Sequence, residues 1–264
     1  MAIFGLVIGS FLNVVIYRLH TGRSLNDRSH CLSCGRQLNW YELLPLVSYL
    51  ALRGRCLSCE SLIPYRYALV ESLTAAAFVL VYIKATSPLE FLFLATLLSI
   101  LIIGLVYDLY HMIIPDEVSW GAALVALTYV CWSAFTEGDS MIIIMASLGA
   151  ATAFLAYASL WYFSKGRAFG FGDAKLAISL GLMTGIYGVF SLVVLSFWVG
   201  AFISLFIILW QKIVLNIKST KQGGRRVNMK SEVPFAPFLL ISFILVYFFN
   251  ANVLGFIEAL YVGI

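Results

Sequence analysis

Two acids and four cysteines are the residues of this chain best suited to chemistry. Asp173 closes Gly170-Phe171-Gly172-Asp173, where a long apolar run begins. Asp108 follows Tyr107 at the end of another apolar run and opens an acidic knot that continues to Asp116-Glu117. An aspartate at the margin of an apolar span is costly unless it is paired or used. Two carboxylates at one depth can hold a proton between them, because like charges in contact cannot both ionise. One then acts as general base on a water and the other as general acid on a scissile carbonyl, which is aspartic-protease chemistry. Each acid also has an ordinary reading. Asp173 suits a helix N-cap beside Lys175, Asp108 suits interfacial solvation, and Asp116 and Glu117 suit the first turn of a helix behind Pro115. His20, His30 and His111 are scattered, and no Ser/His or His-Glu-x-x-His constellation competes for a catalytic role.

The cysteines form two knuckles, Cys31-Leu32-Ser33-Cys34 and Cys56-Leu57-Ser58-Cys59, with twenty-one residues between them. Four thiolates in paired knuckles can close a tetrahedral zinc site, and four protein ligands leave no open position, so the role is structural. Redox dithiols and unliganded thiols are the other readings. Gly35-Arg36 and Arg53-Gly54-Arg55 place tight turns and positive charge beside the sulfurs, which favours thiolate. The loop is too short to bury a large core, so metal would supply much of its folding energy. Cys131 stands alone in an apolar run and reads as a small buried residue.

The elements that must position these groups are membrane helices. Of 264 residues, 62% are hydrophobic and only 11% charged, against about a quarter charged in soluble domains. The apolar residues lie in long runs, so the fold class is all-α and polytopic. Eight spans are expected, at 2–17, 67–83, 91–107, 118–135, 141–163, 174–187, 189–211 and 234–250, the sixth resembling half of a broken helix. The first is short for a full crossing, which leaves open whether the chain begins inside that helix. It carries no basic n-region and no small-x-small cleavage site, so it reads as a span with its N-terminus outside rather than a secretory signal. Threading the spans alternately puts sixteen of the seventeen Lys and Arg residues on one side, all but Lys84. The positive-inside rule makes that side cytoplasmic and sets Asp108 and Asp173 at the same face. The net charge of +4 therefore reports topology, and no nucleic-acid partner is expected. The run containing Lys218, Lys221, Arg225, Arg226 and Lys230 reads as a cytoplasmic linker against anionic lipid.

Taken together, these motifs resemble the type IV prepilin peptidases, over nearly the whole chain. The resemblance is carried by Gly9-Ser10-Phe11-Leu12-Asn13 through Arg18-Leu19, the two knuckles, and Trp40-Tyr41-Glu42 through Leu50. It continues in Arg66-Tyr67 through Glu71, Asp108 to Pro115-Asp116, Phe171-Gly172-Asp173-Ala174-Lys175-Leu176, and Pro234-Phe235-Ala236-Pro237-Phe238. His20 and Ala236 depart from the family pattern, where proline and glycine are common, and neither removes a proposed catalytic group.

The resemblance implies a bacterial inner-membrane enzyme with its active site at the cytoplasmic face. It implies removal of a short basic leader from type IV prepilins or type II secretion pseudopilins, then N-methylation of the new N-terminus by S-adenosylmethionine. It makes Asp108 and Asp173 the catalytic pair, with Asp116 the less favoured acid, and Cys31, Cys34, Cys56 and Cys59 the zinc ligands. The expected organisation is a first span at 1–17, a cytoplasmic zinc-binding loop with a methyltransferase part at 18–66, and a helical peptidase at 67–264. No dinucleotide-type glycine motif marks a methyl-donor site. The donor is expected near the polar loop, with Glu71, Arg53, Arg55 and Arg66 as local contributors. The alternatives are a different Gly-X-Gly-Asp intramembrane protease or a proton-coupled transporter.

Overall fold

In a computed structural model, residues 1–21, 24, 26–166, 169–217, 234–253 and 255 are described. The basic linker at 218–233 lies outside them. Helices dominate: α1 (Ala2–Arg18), a 3-10 turn (Trp40–Leu43), α2 (Val47–Ala51), α3 (Arg66–Lys84), α4 (Pro88–His111), α5 (Asp116–Glu137), α6 (Met141–Ser164), α7 (Phe171–Ile217) and α8 (Ala236–Phe243), which runs on as a π turn at Ile244–Phe248. Among the described residues there is no strand, only the isolated bridges His30–Gln37 and Arg55–Leu62. Five helices, α3 to α7, are long and apolar enough to cross a membrane, while α1 and α8 are apolar but shorter. The chain is a multi-pass membrane protein.

All eight expected spans meet a helix. The sixth and seventh are joined in α7, which is broken at Gly185 (φ 62°, ψ −176°) rather than at 188. That left-handed backbone is one only glycine adopts without strain. The first half of α7, 171–184, spans about 21 Å at 1.5 Å per residue. This is less than a bilayer core of about 30 Å.

The chain divides into two compact units, Met1–Tyr107 and Asp108–Ile264. In the first, α1 presents Gly5, Gly9, Leu12, Asn13 and Ile16 to α3. A Cβ on Gly5 would lie 2.7 Å from the Ala75 Cα, and one on Gly9 would lie 2.7 Å from the Glu71 Cα. Small residues four apart thus let the two helices touch backbone to backbone, the packing available where lipid supplies no hydrophobic drive. Asn13 donates to the Tyr67 carbonyl at 3.1 Å, and Val70, Ile102 and Val106 complete the core with Leu12 and Ile16.

In the second unit α6 and α7 pack most closely. A Cβ on Gly149 would fall 2.5 Å from the Gly181 carbonyl oxygen, and one on Gly181 would fall 2.6 Å from that of Gly149. This contact fixes the first half of α7, and with it Asp173 in its first turn.

Candidate functional site

Asp108 lies in the last turn of α4, and Asp173 is the third residue of α7. Both are buried, at 5% and 6% exposure. For carboxylates in apolar helices that requires compensation. Each finds it at the start of a helix. Asp108 Oδ2 accepts the Ala236 N–H, the first of α8, at 3.1 Å. Asp173 Oδ2 accepts the Gly170 N–H at 3.2 Å, reaching back from its own helix as one half of a capping box. Two helix N-termini, each with unsatisfied amides and partial positive charge, therefore serve the two acids.

Within the second unit the charge of Asp108 reaches Asp173, so the two buried acids share one electrostatic environment. Gly172 makes this approach possible. A Cβ there would lie 3.1 Å from the Ile114 Cβ, tighter than ordinary contact, so glycine lets the corner between α4 and α5 sit against the start of α7 without a shift of Ile114. Lys175 does not pair with Asp173. Its ammonium reaches Asp116 at 2.7 Å and lies over the Phe171 ring at 5.2 Å. Asp116 and Glu117 occupy the first turn of α5 behind Pro115. Phe235 stands in a cluster of rings, with centroid distances of 5.1 Å to Phe169, 5.6 Å to Phe197, 5.8 Å to Tyr157 and 5.9 Å to Phe238. The buried Tyr157 hydroxyl meets Ser196 Oγ at 2.8 Å. An acid pair of this kind, beside an aromatic wall, can bind a water and polarise a carbonyl.

The first unit holds a different site. Cys31, Cys34, Cys56 and Cys59 converge, their sulfurs all within 4.8 Å of one another, with 3.8 Å between Cys31 and Cys59. A tetrahedron with bonds of about 2.3 Å has edges of roughly 3.8 Å, so the spacing fits zinc. The knuckles are built alike. The Cys31 N–H donates to Arg36 and the Gly35 N–H returns to Cys31, while the Cys56 N–H donates to Ser61 and the Glu60 N–H returns to Cys56. Main-chain N–H groups of Cys34 and Ser33 pull the Cys31 thiol down to about 6. The Arg36 N–H favours a thiolate at Cys34, yet the neighbouring Cys31 and Cys59 sulfurs push it up to about 11. One thiolate thus opposes the next, a conflict that a divalent cation among them removes. Arg36 pairs with Glu42 at 2.5 Å and holds that carboxyl below its usual range, and its positive charge also faces Cys56.

Beside the cysteines, α1, the loop and α3 enclose a cavity of about 190 Å³ lined by Asn13, Tyr17, Arg18, Tyr49, Tyr67 and Glu71 among others. Glu71 was expected near a methyl-donor site and lines this cavity, whereas Arg53, Arg55 and Arg66 do not. Arg18, which the sequence offered as a topology marker and as the end of the opening motif, is buried in its wall.

Comparison with known proteins bears on both units. Residues 3–85 match the model of the bacterial peptidase A24 N-terminal domain, and residues 95–205 match that of the type IV leader peptidase family. A prepilin leader peptidase/N-methyltransferase of Vibrio cholerae is 31% identical over 262 residues, covering 94% of each chain. One of Myxococcus xanthus is 33% identical over 240 residues, 88% of this chain and 67% of the other. A type 4 prepilin-like proteins leader peptide-processing enzyme of Escherichia coli is 33% identical over 204 residues, 69% of this chain and 74% of the other. No solved structure matches.

Proposed function

The chain belongs to the type IV leader peptidase family, and we propose that it removes the short basic leader of type IV prepilins or type II secretion pseudopilins and N-methylates the new N-terminus. The observation that carries the cleavage reading is the pair Asp108 and Asp173. Both acids are buried, each accepts a main-chain N–H at the start of a helix, and the charge of Asp108 reaches Asp173. One carboxylate takes a proton from water as the oxygen attacks the scissile carbonyl. The other gives its proton to the carbonyl oxygen. Collapse of the tetrahedral intermediate returns that proton to its acid. The first acid passes its own to the leaving amine, so the pair ends with one proton as it began. The Ala236 and Gly170 amides hold the carboxylates in place throughout.

The four cysteines hold a structural zinc ion that braces the loop at 18–66, which carries the methyltransferase part, while the peptidase acids belong to 67–264. S-adenosylmethionine supplies the electrophilic methyl group on a sulfonium. In this reading the enzyme sits in the bacterial inner membrane with its N-terminus outside and both acids at the cytoplasmic face, where a basic leader would meet a hydrophobic segment. Tyr107-Asp108 and Gly172-Asp173 would also suit a different Gly-X-Gly-Asp protease, but the type IV leader peptidase match over residues 95–205 supports the present reading over that one and over a transporter. The deciding experiment incubates purified protein with a prepilin and labelled S-adenosylmethionine, then measures the product's N-terminus by mass. Leader loss with one added methyl is expected. An uncut prepilin would end the proposal.

A further inference from the structure

The cavity of the first unit holds two buried charges of opposite sign that do not neutralise each other. Arg18, at 7% exposure, donates to the Ser24 and Asp27 carbonyls at 2.5 and 2.7 Å. Glu71, also at 7%, accepts the Leu46 N–H at 2.8 Å and faces the Ser10 hydroxyl. Leu46 is the centre of a γ-turn (φ 58°, ψ −44°) closed by the Val47 N–H on the Pro45 carbonyl at 2.6 Å, a backbone that a leucine rarely takes. Strained backbone of this kind collects at binding sites, where the surroundings enforce it. Burying a guanidinium and a carboxylate apart from one another is costly, and their main-chain partners offset only part of that cost, which a ligand of opposite charges would offset further.

The ligand chemistry follows from the walls. An arginine suits a carboxylate, which it grips with two parallel bonds. A carboxylate among the rings of Tyr17, Tyr49 and Tyr67 suits an ammonium or sulfonium cation, because aromatic faces also attract cations. The volume of about 190 Å³ is below the 300–1,000 Å³ typical of a site that swallows a drug-sized ligand. It can take the charged end of a longer molecule, with the remainder leaving through the mouth.

We propose that this cavity receives the amino-acid end of S-adenosylmethionine, Arg18 meeting its carboxylate and Glu71 its positive charge. This rests on the methyl-transfer reading given above. The cysteine cluster then gains a second role: Cys31 and Cys56 form part of the same wall, so a metal that fixes the knuckles also fixes the pocket.

The test is equilibrium binding of S-adenosylmethionine and of S-adenosylhomocysteine to the full chain in detergent, for wild type, Glu71→Gln, Arg18→Gln and Arg18→Lys, each checked by its melting temperature. Loss of one charge-assisted contact should weaken S-adenosylmethionine about tenfold or more in Glu71→Gln and Arg18→Gln, with partial recovery in Arg18→Lys. If Glu71→Gln spares the uncharged thioether, Glu71 faces the sulfonium. If both ligands weaken equally, it faces the α-ammonium. Either result supports the site. Wild-type affinity in both charge-removing variants overturns it while leaving methyl transfer intact. So does a Glu71→Gln protein that binds the donor normally but loses affinity for a leaderless peptide with a free amine. A wild-type protein that cleaves prepilin yet neither binds the donor nor methylates the product removes the methyl-transfer reading itself. Should the variants fail to fold, ultraviolet cross-linking of labelled donor to wild type decides. Label in 10–18, 43–52 or 67–71 supports the pocket, and label confined to residues beyond 107 sinks it.

Discussion

The two units build their sites by opposite means. In Asp108–Ile264 the acids sit on long helices, and the groups that hold them are helix starts and glycine contacts at van der Waals limits. In Met1–Tyr107 the cysteines and most of the cavity wall stand on a loop. Among its described residues from Leu19 to Tyr65, only Gly54 and Cys56 are buried. A segment with so little interior cannot offset the entropy of ordering itself by hydrophobic burial. A metal among the four cysteines would substitute for a core there, whereas tight helix packing needs none.

Removing the metal should therefore have the largest effect, and only on the first unit. Structural zinc is worth about 10–16 kcal/mol in small domains whose folding depends on it. Chelation, or Cys56→Ser, should release about one zinc per chain and abolish binding of the methyl donor. Metal analysis and donor binding measured together check this. Acid should act in the same direction, since each thiolate must gain a proton as it leaves the metal. Equal loss of prepilin cleavage on chelation would break the comparison, because the sites would then not be built independently. The next effect belongs to the second unit. Asp108→Asn or Asp173→Asn should lower cleavage by at least 10³-fold, on the order of the full contribution of acid–base catalysis, while expression persists. Retained cleavage in Asp173→Asn would remove that residue from the chemistry.

Much of this was legible in the sequence, and the remainder was not for identifiable reasons. The knuckles show in local spacing, and the apolar spans show in composition. The residues that satisfy the acids do not. Asp108 is held by an amide 128 positions away, and nothing local marks Ala236 as its partner. Lys175 is adjacent to Asp173 along the helix but pairs with Asp116, 59 residues away. Arg18 follows an apolar run and reads in the sequence as a topology marker at the end of the opening motif. Its burial depends on the loop folding back so that the carbonyls of Ser24 and Asp27 reach it. The helix break fell three residues from its expected place, because what sets it at Gly185 is a left-handed backbone. The apolar pattern puts the boundary between the two runs at 188 and carries no mark of the backbone conformation at Gly185.

A smaller effect sharpens the claim that the second unit depends on close approach. Gly172→Val would put a branched side chain where even a Cβ lies 3.1 Å from Ile114. Overpacking of this kind costs about 1–3 kcal/mol, and it pushes the start of α7 away from the corner that carries Asp108. Melting temperature and cleavage rate should both fall, with Gly172→Ala milder. A Gly172→Val enzyme that cleaves at the wild-type rate would show that the acids do not need this contact.

The smallest effect returns to the knuckles and uses their likeness as an internal control. The residue after the second cysteine of each pair is left-handed, but it is Gly35 (φ 72°) in one knuckle and Glu60 (φ 55°) in the other. A left-handed conformation costs a residue with a Cβ about 1–2 kcal/mol. Part of any gain from glycine is lost to its freer unfolded chain. Glu60→Gly should thus stabilise the metal-loaded loop by about 0.5–1 kcal/mol, read as tighter zinc in competition with a chelator. Gly35→Ala should weaken it by a similar amount, and only through the backbone, since nothing lies within 4 Å of the added Cβ. Opposite signs at the two positions follow if both knuckles grip one ion through the same turn. A neutral Gly35→Ala would mean that this turn is not what holds the sulfurs, and the metal would then be shaping the loop rather than completing a shape the chain already prefers.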